Sequence, residues 1–125
     1  MIAGTALAAV LPACAELDTI GRPVTTTSYR FVATDDAAMR LRNARVSRDV
    51  ACDGVGAGHR YGNLDAALDD RGKSSVAHLA QCRTGVADVP LDGCIAQVKA
   101  VPCGVLVEGL DDLPACRRGD ICLPR

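Results

Sequence analysis

The sequence predicts an all-α fold, a small disulfide-stapled helical bundle that follows a signal peptide and a flexible tether. Three observations carry that expectation. Apolar residues recur at three- and four-residue intervals in several segments, and no alternating strand pattern competes with them. Six of the seven cysteines lie beyond residue 50, an even set suited to three bridges. The aromatic inventory is thin, with one Phe, two Tyr and no Trp in 125 residues, and much of the apolar fraction is Ala. At about 25 cal/mol per Å² of apolar burial such a core offsets chain entropy only narrowly, and small domains in that position add covalent staples.

The first segment, residues 1–13, reads as a signal peptide with "AGTALAAVL" as its apolar stretch. Leu11-Pro12-Ala13-Cys14 resembles the lipobox of bacterial lipoproteins: an apolar residue, two small ones, then Cys. The resemblance implies diacylglyceryl attachment to the Cys14 thiol, cleavage before it, and a mature chain that begins at the lipidated residue. Two acyl chains with a third on the new amine exceed the two-signal threshold for stable anchoring. No Lys or Arg precedes Arg22, which points to a basic segment encoded upstream of Met1. Ala13-Cys14-Ala15 also fits the A-x-A pattern of ordinary secretion, so a second cut is open. Either route leads to an oxidising compartment. Ala15, rather than Asp, after the cysteine favours the outer membrane by analogy with other lipoproteins.

Residues 14–33 carry Gly21, Pro23 and a Thr/Ser run, the composition of a tether. The folded domain is expected over 34–125. Thr34 is expected to cap a helix over Asp35–Cys52, with Asp35 and Asp36 complementing its dipole and Ala37, Leu41, Ala44 and Ala51 forming its apolar face. "DGVGAGHRYGN" follows as a turn, because each interior Gly costs a helix about 1 kcal/mol. It does not match G-x-G-x-x-G, and no strand precedes it. Asn63 is expected to cap a helix with Leu64, Ala67 and Leu68 on one face, continued by Val76, Leu79 and Ala80 and broken or bent at Gly72. "RTGVADVP" reads as a loop. Leu91, Cys94, Ile95 and Val98 then fall at i, i+3, i+4 and i+7, the clearest amphipathic signature in the chain, and Pro102 closes it. A last short helix over "GLDDLPACR" precedes a closing loop, "CRRGDIC".

Charge is nearly balanced, with 14 Lys+Arg against 15 Asp+Glu. That excludes the broad basic footprint of a nucleic-acid binder. No apolar run reaches the roughly 18 residues of a spanning helix.

With Cys14 assigned to lipid, Cys52, Cys82, Cys94, Cys103, Cys116 and Cys122 are expected to form three disulfides, and 15 connectivities are open. Zinc is disfavoured. No C-x-x-C occurs, the gaps are 29, 11, 8, 12 and 5 residues, and His59 and His78 are the sole histidines. No metal or cofactor is expected. Both histidines read as ordinary surface or hydrogen-bonded residues. Asp69-Asp70 and Asp111-Asp112 are adjacent, so their carboxylates do not face each other on a helix. Ser74 and Ser75 could meet His78 along a helix, but neither an orienting acid nor an oxyanion hole is visible. Arg118-Gly119-Asp120 reads as a turn with Gly119 at positive φ.

The residues "CDGVGAGHRY" (52–61), "CRTGVADVPLDGCIAQVKAVPCG" (82–104) and "LDDLPACRRGDICL" (110–123) carry a wider similarity. From Val46 onward the chain resembles an uncharacterised family of small cysteine-rich bacterial lipoproteins, sometimes labelled natural product biosynthesis lipoproteins from where their genes lie. In that family two further cysteines fall six residues before the match to Cys52 and six after the match to Tyr61. Here those positions hold Val46 and Ala67. Joint loss is what a deleted disulfide leaves behind, so the resemblance implies that Val46 and Ala67 face each other.

The expectation is therefore a non-enzymatic, lipid-anchored binding or scaffolding module of the bacterial envelope. Its partners would be the membrane, through the lipid, and an envelope protein, glycan or small exported molecule. A secreted disulfide-rich effector released by ordinary signal peptidase is the alternative. A third reading, an accessory to natural product biosynthesis, rests on the gene-neighbourhood label.

Overall fold

The computed structural model describes residues 30–105, 107 and 109–124. The expected signal peptide, Cys14 and the tether up to residue 29 lie outside the described residues.

The described chain is mostly helical. It opens with strand β1 (Phe31–Val32), then helix α1 (Thr34–Ala51), helix α2 (Leu64–Leu79), strand β2 (Val86–Ala87) and helix α3 (Asp88–Ala100). Two single 3₁₀ turns (Leu110–Asp112 and Pro114–Cys116) and the one-turn helix α4 (Arg118–Ile121) complete it.

Phe31 and Val32, assigned to the tether by composition, instead pair antiparallel with β2, Phe31 opposite Ala87 and Val32 opposite Val86. Arg30 N donates to the Asp88 carboxylate (3.0 Å) and Asp88 N donates back to Arg30 O (3.1 Å). Two-residue strands leave no periodicity to read, which is why the sequence shows none. At Gly85, φ is +106° and a Cβ would overlap the Phe31 ring, so glycine is required where the two strands meet.

Because the sheet delivers the chain to α1 already extended, Ala33 occupies the cap position with no side-chain bond, and Thr34 is the first helical residue rather than the cap. Asp35 and Asp36 do lie in the first turn. The inward face holds Ala37, Leu41 and Ala44 as expected, together with Ala38, Arg45, Val46 and Asp49; Ala51, expected on that face, is exposed. The glycine segment reverses the chain with left-handed backbone at Asp53 (φ 58°), Gly56 (139°) and Gly58 (81°).

Asn63 caps α2, its side-chain oxygen accepting from Ala66 N at 2.9 Å. The helix runs unbroken through Gly72, where a Cβ would come within 3.3 Å of the Arg42 side chain. Glycine here serves the approach of α1, not a break. Side-chain partners run in opposite sequence directions, Arg45 to Ser74 and Asp49 to Arg71, so α1 and α2 are antiparallel.

Helix α3 starts at Asp88, so "DVP", assigned to a loop, forms its first turn, with the Asp88 carboxylate also accepting from Val89 N at 2.8 Å. Leu91, Cys94 and Val98 are buried and Ile95 packs against the core as its periodicity predicts. The last expected helix is split: Leu113 is extended between the two 3₁₀ turns, with Pro114 opening the second. Gly119 is not at positive φ; Arg118-Gly119-Asp120 forms a helical turn.

The main core joins Leu41, Leu79, Leu91, Cys94, Cys116 and Ile121, each almost fully buried. All six cysteines of the described residues pair: Cys52–Cys103, Cys82–Cys122 and Cys94–Cys116. A smaller cluster between α1 and α2 holds Val46, Ala67 and Tyr61 together. Val46 and Ala67, the two positions paired by the resemblance, thus belong to one cluster.

Burial orders the three bridges. Cys94 and Cys116 are 0% exposed, whereas Cys103 lies at the surface. Stepwise reduction of the native protein, trapped by alkylation and mapped by peptide mass, is expected to open Cys52–Cys103 first and Cys94–Cys116 last. The double variant V46C/A67C is expected to oxidise to a fourth bridge, seen as the loss of two hydrogens by intact mass, and to gain about 3 kcal/mol against denaturant from a closed loop of this size.

Candidate functional site: an arginine-lined cleft

Leu41, Arg45 and Asp49 stand four residues apart and so share one face of α1. Ala67, Arg71 and Ser75 do the same on α2. Packing these faces together puts charge inside the helix–helix interface. Arg71 meets Asp49 as a fork, Nε to Oδ2 at 2.8 Å and Nη2 to Oδ1 at 2.9 Å, with both side chains at or below 10% exposure. Parallel charge-assisted bonds of this kind offset burial that neither ion would otherwise tolerate. The bonds to Asp49 hold the Arg71 guanidinium above the ordinary arginine range.

Arg45 is placed differently. It is buried, and among the described residues its guanidinium donates one bond, from Nη1 to Ser74 Oγ at 2.8 Å. Burial and then the neighbouring Arg71 cation lower its pKa to about 10. Arginine stays a cation at ordinary pH even so. Arg48, one turn on, spends its guanidinium on the chain after α3. Nε donates to Val101 O (3.0 Å), and Nη2 to Pro102 O (2.8 Å) and Val105 O (3.2 Å). A cation at these carbonyls complements the end of α3.

These arginines line a small cleft of about 30 Å³. One wall is Arg45, Arg48, Asp49 and Arg71; the other is apolar, formed by Val98, Val101, Val107, Leu110 and Leu113. A second, larger and more open cleft of about 270 Å³ shares Arg48, Asp49, Arg71 and Val107 with it and reaches Arg60 and the Cys52–Cys103 bridge. Among the described residues lining the two, Asp49 is the sole acid against four arginines. At the outer edge Tyr61 donates its hydroxyl to Asp70, and both Arg60 and Arg71 lie 5.5 Å from its ring centroid. Burial, and then the bond to Asp70, raise the Tyr61 phenol above its ordinary value.

The residues singled out by sequence lie elsewhere. Cys14 is outside the described residues, and the other six cysteines are in bridges. His59 is exposed in the glycine segment. His78 is buried, its Nε2 2.5 Å from Cys116 O and its Nδ1 4.0 Å from the Asp111 carboxylate. Ser74 accepts from Arg45, and the buried Ser75 hydroxyl has no hydrogen-bond partner among the described residues, so neither bonds His78. The adjacent acids part as helix geometry dictates: Asp69 pairs with Lys73 (3.1 Å) and Asp70 takes the Tyr61 hydroxyl. Asp111 lies 3.8 Å from Arg118, and Asp112 accepts from Gly109 N at 3.2 Å. Among the described residues no group of three His, Cys, Asp or Glu is placed to hold a metal, and no helix is long and apolar enough to cross a membrane.

Sequence reasoning passed over Arg45, Asp49 and Arg71. Their signal was present in the four-residue spacing from Leu41 on α1 and from Ala67 on α2, but charged residues at such positions read by default as solvated.

A small helical domain braced by three disulfides around an arginine-lined cleft is the class that fold and site define. The chain belongs to a family of unknown function, DUF6184, whose profile matches residues 46–124. No curated protein and no solved structure matches the chain.

Two substitutions test the electrostatic reading. D49A strands the buried Arg71 guanidinium and is expected to cost about 3–5 kcal/mol in chemical denaturation, the range for breaking a buried pair from one side. S75A removes a buried hydroxyl that has no partner and is expected to gain about 1 kcal/mol in the same assay.

Proposed function

We propose that this protein is an exported, lipid-anchored binding module of the bacterial envelope, tethered through Cys14 and without catalytic activity of its own. The observation that carries the reading is sulfur arithmetic. Three bridges consume six of the seven cysteines, and the one left over stands in Leu11-Pro12-Ala13-Cys14. An odd cysteine in an oxidising compartment is a liability unless it is modified, and attachment of a lipid removes it. The bridges themselves fit a compartment that keeps thiols oxidised and a body that must resist unfolding there. Binding rather than catalysis is supported by the cleft. It offers fixed cations and an apolar wall, and its two polar anchors, Arg71 and Arg48, are held by structural bonds instead of being poised as acids or bases.

Intact mass of the chain recovered from a membrane fraction tests this. The expected species begins at Cys14, with the mass of diacylglyceryl and a third acyl chain added and six hydrogens missing from the thiols. C14A is expected to stay unprocessed and to leave the lipid-modified fraction. A soluble product with Glu16 at its terminus would point to the secreted alternative and end the anchored reading.

A further inference from the structure

We propose that the outward face around Phe31 and Val89, where the chain enters the domain, is a lipid-contacting surface that seats the body on the bilayer. The inference rests on the reading that Cys14 carries the lipid, and it adds which face of the domain turns to the membrane.

Phe31 and Val89 are the two most exposed large apolar side chains among the described residues, at 64% and 60%. They flank one point of the fold. Phe31 follows Arg30, Val89 follows Asp88, and Arg30 and Asp88 bond each other at 3.0 and 3.1 Å. Successive residues of a strand face opposite ways, so with Val32 and Val86 in the core Phe31 is turned outward. Its ring lies over Gly85, which makes room for it by having no Cβ. Leu123 continues the surface past Gly85, donating its N–H to Gly85 O at 2.9 Å, and the exposed Pro124 follows. Asp88, the acid at this point, gives Oδ1 to the backbone N–H groups of both Arg30 and Val89.

What covers this face follows from where the chain comes from. In any conformation the chain from Cys14 to Arg30 spans at most about 55 Å. A lipid on Cys14 therefore keeps the bilayer within that reach of Phe31. Contact between the face and the bilayer is then intramolecular, and a weak affinity is enough to sustain it. The other end of α1 is remote: its 18 residues span about 27 Å, and the glycine segment begins beyond them. Exposed charges about the face are mixed, Arg30 and Arg83 with Asp92 and Asp120. The contact accordingly gains from apolar burial and not from headgroup charge. Phe is among the side chains that seat interfacial segments at the acyl boundary.

The test couples the Cys14 thiol of the oxidised full chain to a maleimide-bearing phosphatidylethanolamine in phosphatidylcholine bicelles that contain a gadolinium-chelating lipid. Paramagnetic broadening of backbone amides by NMR then reads each residue's nearness to the bilayer. The amides of Phe31, Val89 and Leu123 are expected to broaden most, and those of Gly58 and Arg60 least. F31S and V89S are each expected to weaken the broadening at Leu123 at least twofold, whereas V50S, near the other end of α1, leaves it unchanged. If F31S does not fold, V89S decides, because its side chain is exposed. Uniform broadening over the domain, strongest broadening at Gly58 and Arg60, or a pattern indifferent to V89S would overturn the proposal. So would a dimer of the chain that F31S or V89S abolishes while lipid broadens nothing at Phe31, which would assign the face to a second copy. The anchor here is attached chemically, so the result is independent of whether cells lipidate Cys14, and the intact-mass measurement decides that separately.

Discussion

The fork between Asp49 and Arg71 sits where two helices of modest apolar content meet, and the arrangement of the domain follows from it. Burying two ions costs several kcal/mol each before their attraction and hydrogen bonds return it, so such a pair is a poor source of net stability. It is a strong selector of alignment. Sliding α1 along α2 by one turn would leave both charges buried without partners, a penalty larger than these small side chains could offset by packing. With the fork fixed, Arg45 reaches Ser74, and Val46 joins Ala67 and Tyr61 in one cluster. The polar interface thus does what larger apolar residues do in other bundles.

The same fork creates an imbalance. Among the described residues one carboxylate lies among three arginines on the inner cleft wall, and its two oxygens are both directed at Arg71. Arg48 finds compensation in backbone carbonyls, whereas among the described residues Arg45 bonds the Ser74 hydroxyl. The apolar wall opposite, from Val98 to Leu113, gives the cleft two chemically distinct sides.

Covalent bracing and the cleft are connected. Cys52 follows α1 directly and Cys103 follows the end of α3, so their bridge holds the segment carrying Val101 to Val107 against the arginine face. Cys94–Cys116 lies wholly inside the core and ties α3 to the second 3₁₀ turn, and Cys82–Cys122 closes the carboxyl end onto the strand region. With one Phe, two Tyr and no Trp in the chain, the walls would otherwise rest on few large contacts. The bridges replace aromatic mass with loss of freedom in the unfolded chain.

Local features were legible wherever a short-range rule governed them. The Asn63 cap, the acidic first turn of α1, the face of α3 set by Leu91, Cys94 and Val98, and the even cysteine count each follow from spacing or from a single side chain's chemistry. The face of α2 was not legible in that way. Leu64 and Val76 are about half exposed, while Arg71, Ser75 and His78 point inward. The buried partners of those polar groups, Asp49 and Cys116 O, come from distant stretches of chain, and a hydropathy pattern carries no record of them. The two short strands, the continuity of α2 through Gly72 and the choice among 15 cysteine pairings were likewise set by contacts remote in sequence. The sequence by itself determined that this domain would be helical, capped where it is capped, and stapled. Tertiary structure alone decided which polar groups went inside, because burying a charge depends on a partner's position in space and not on its distance along the chain.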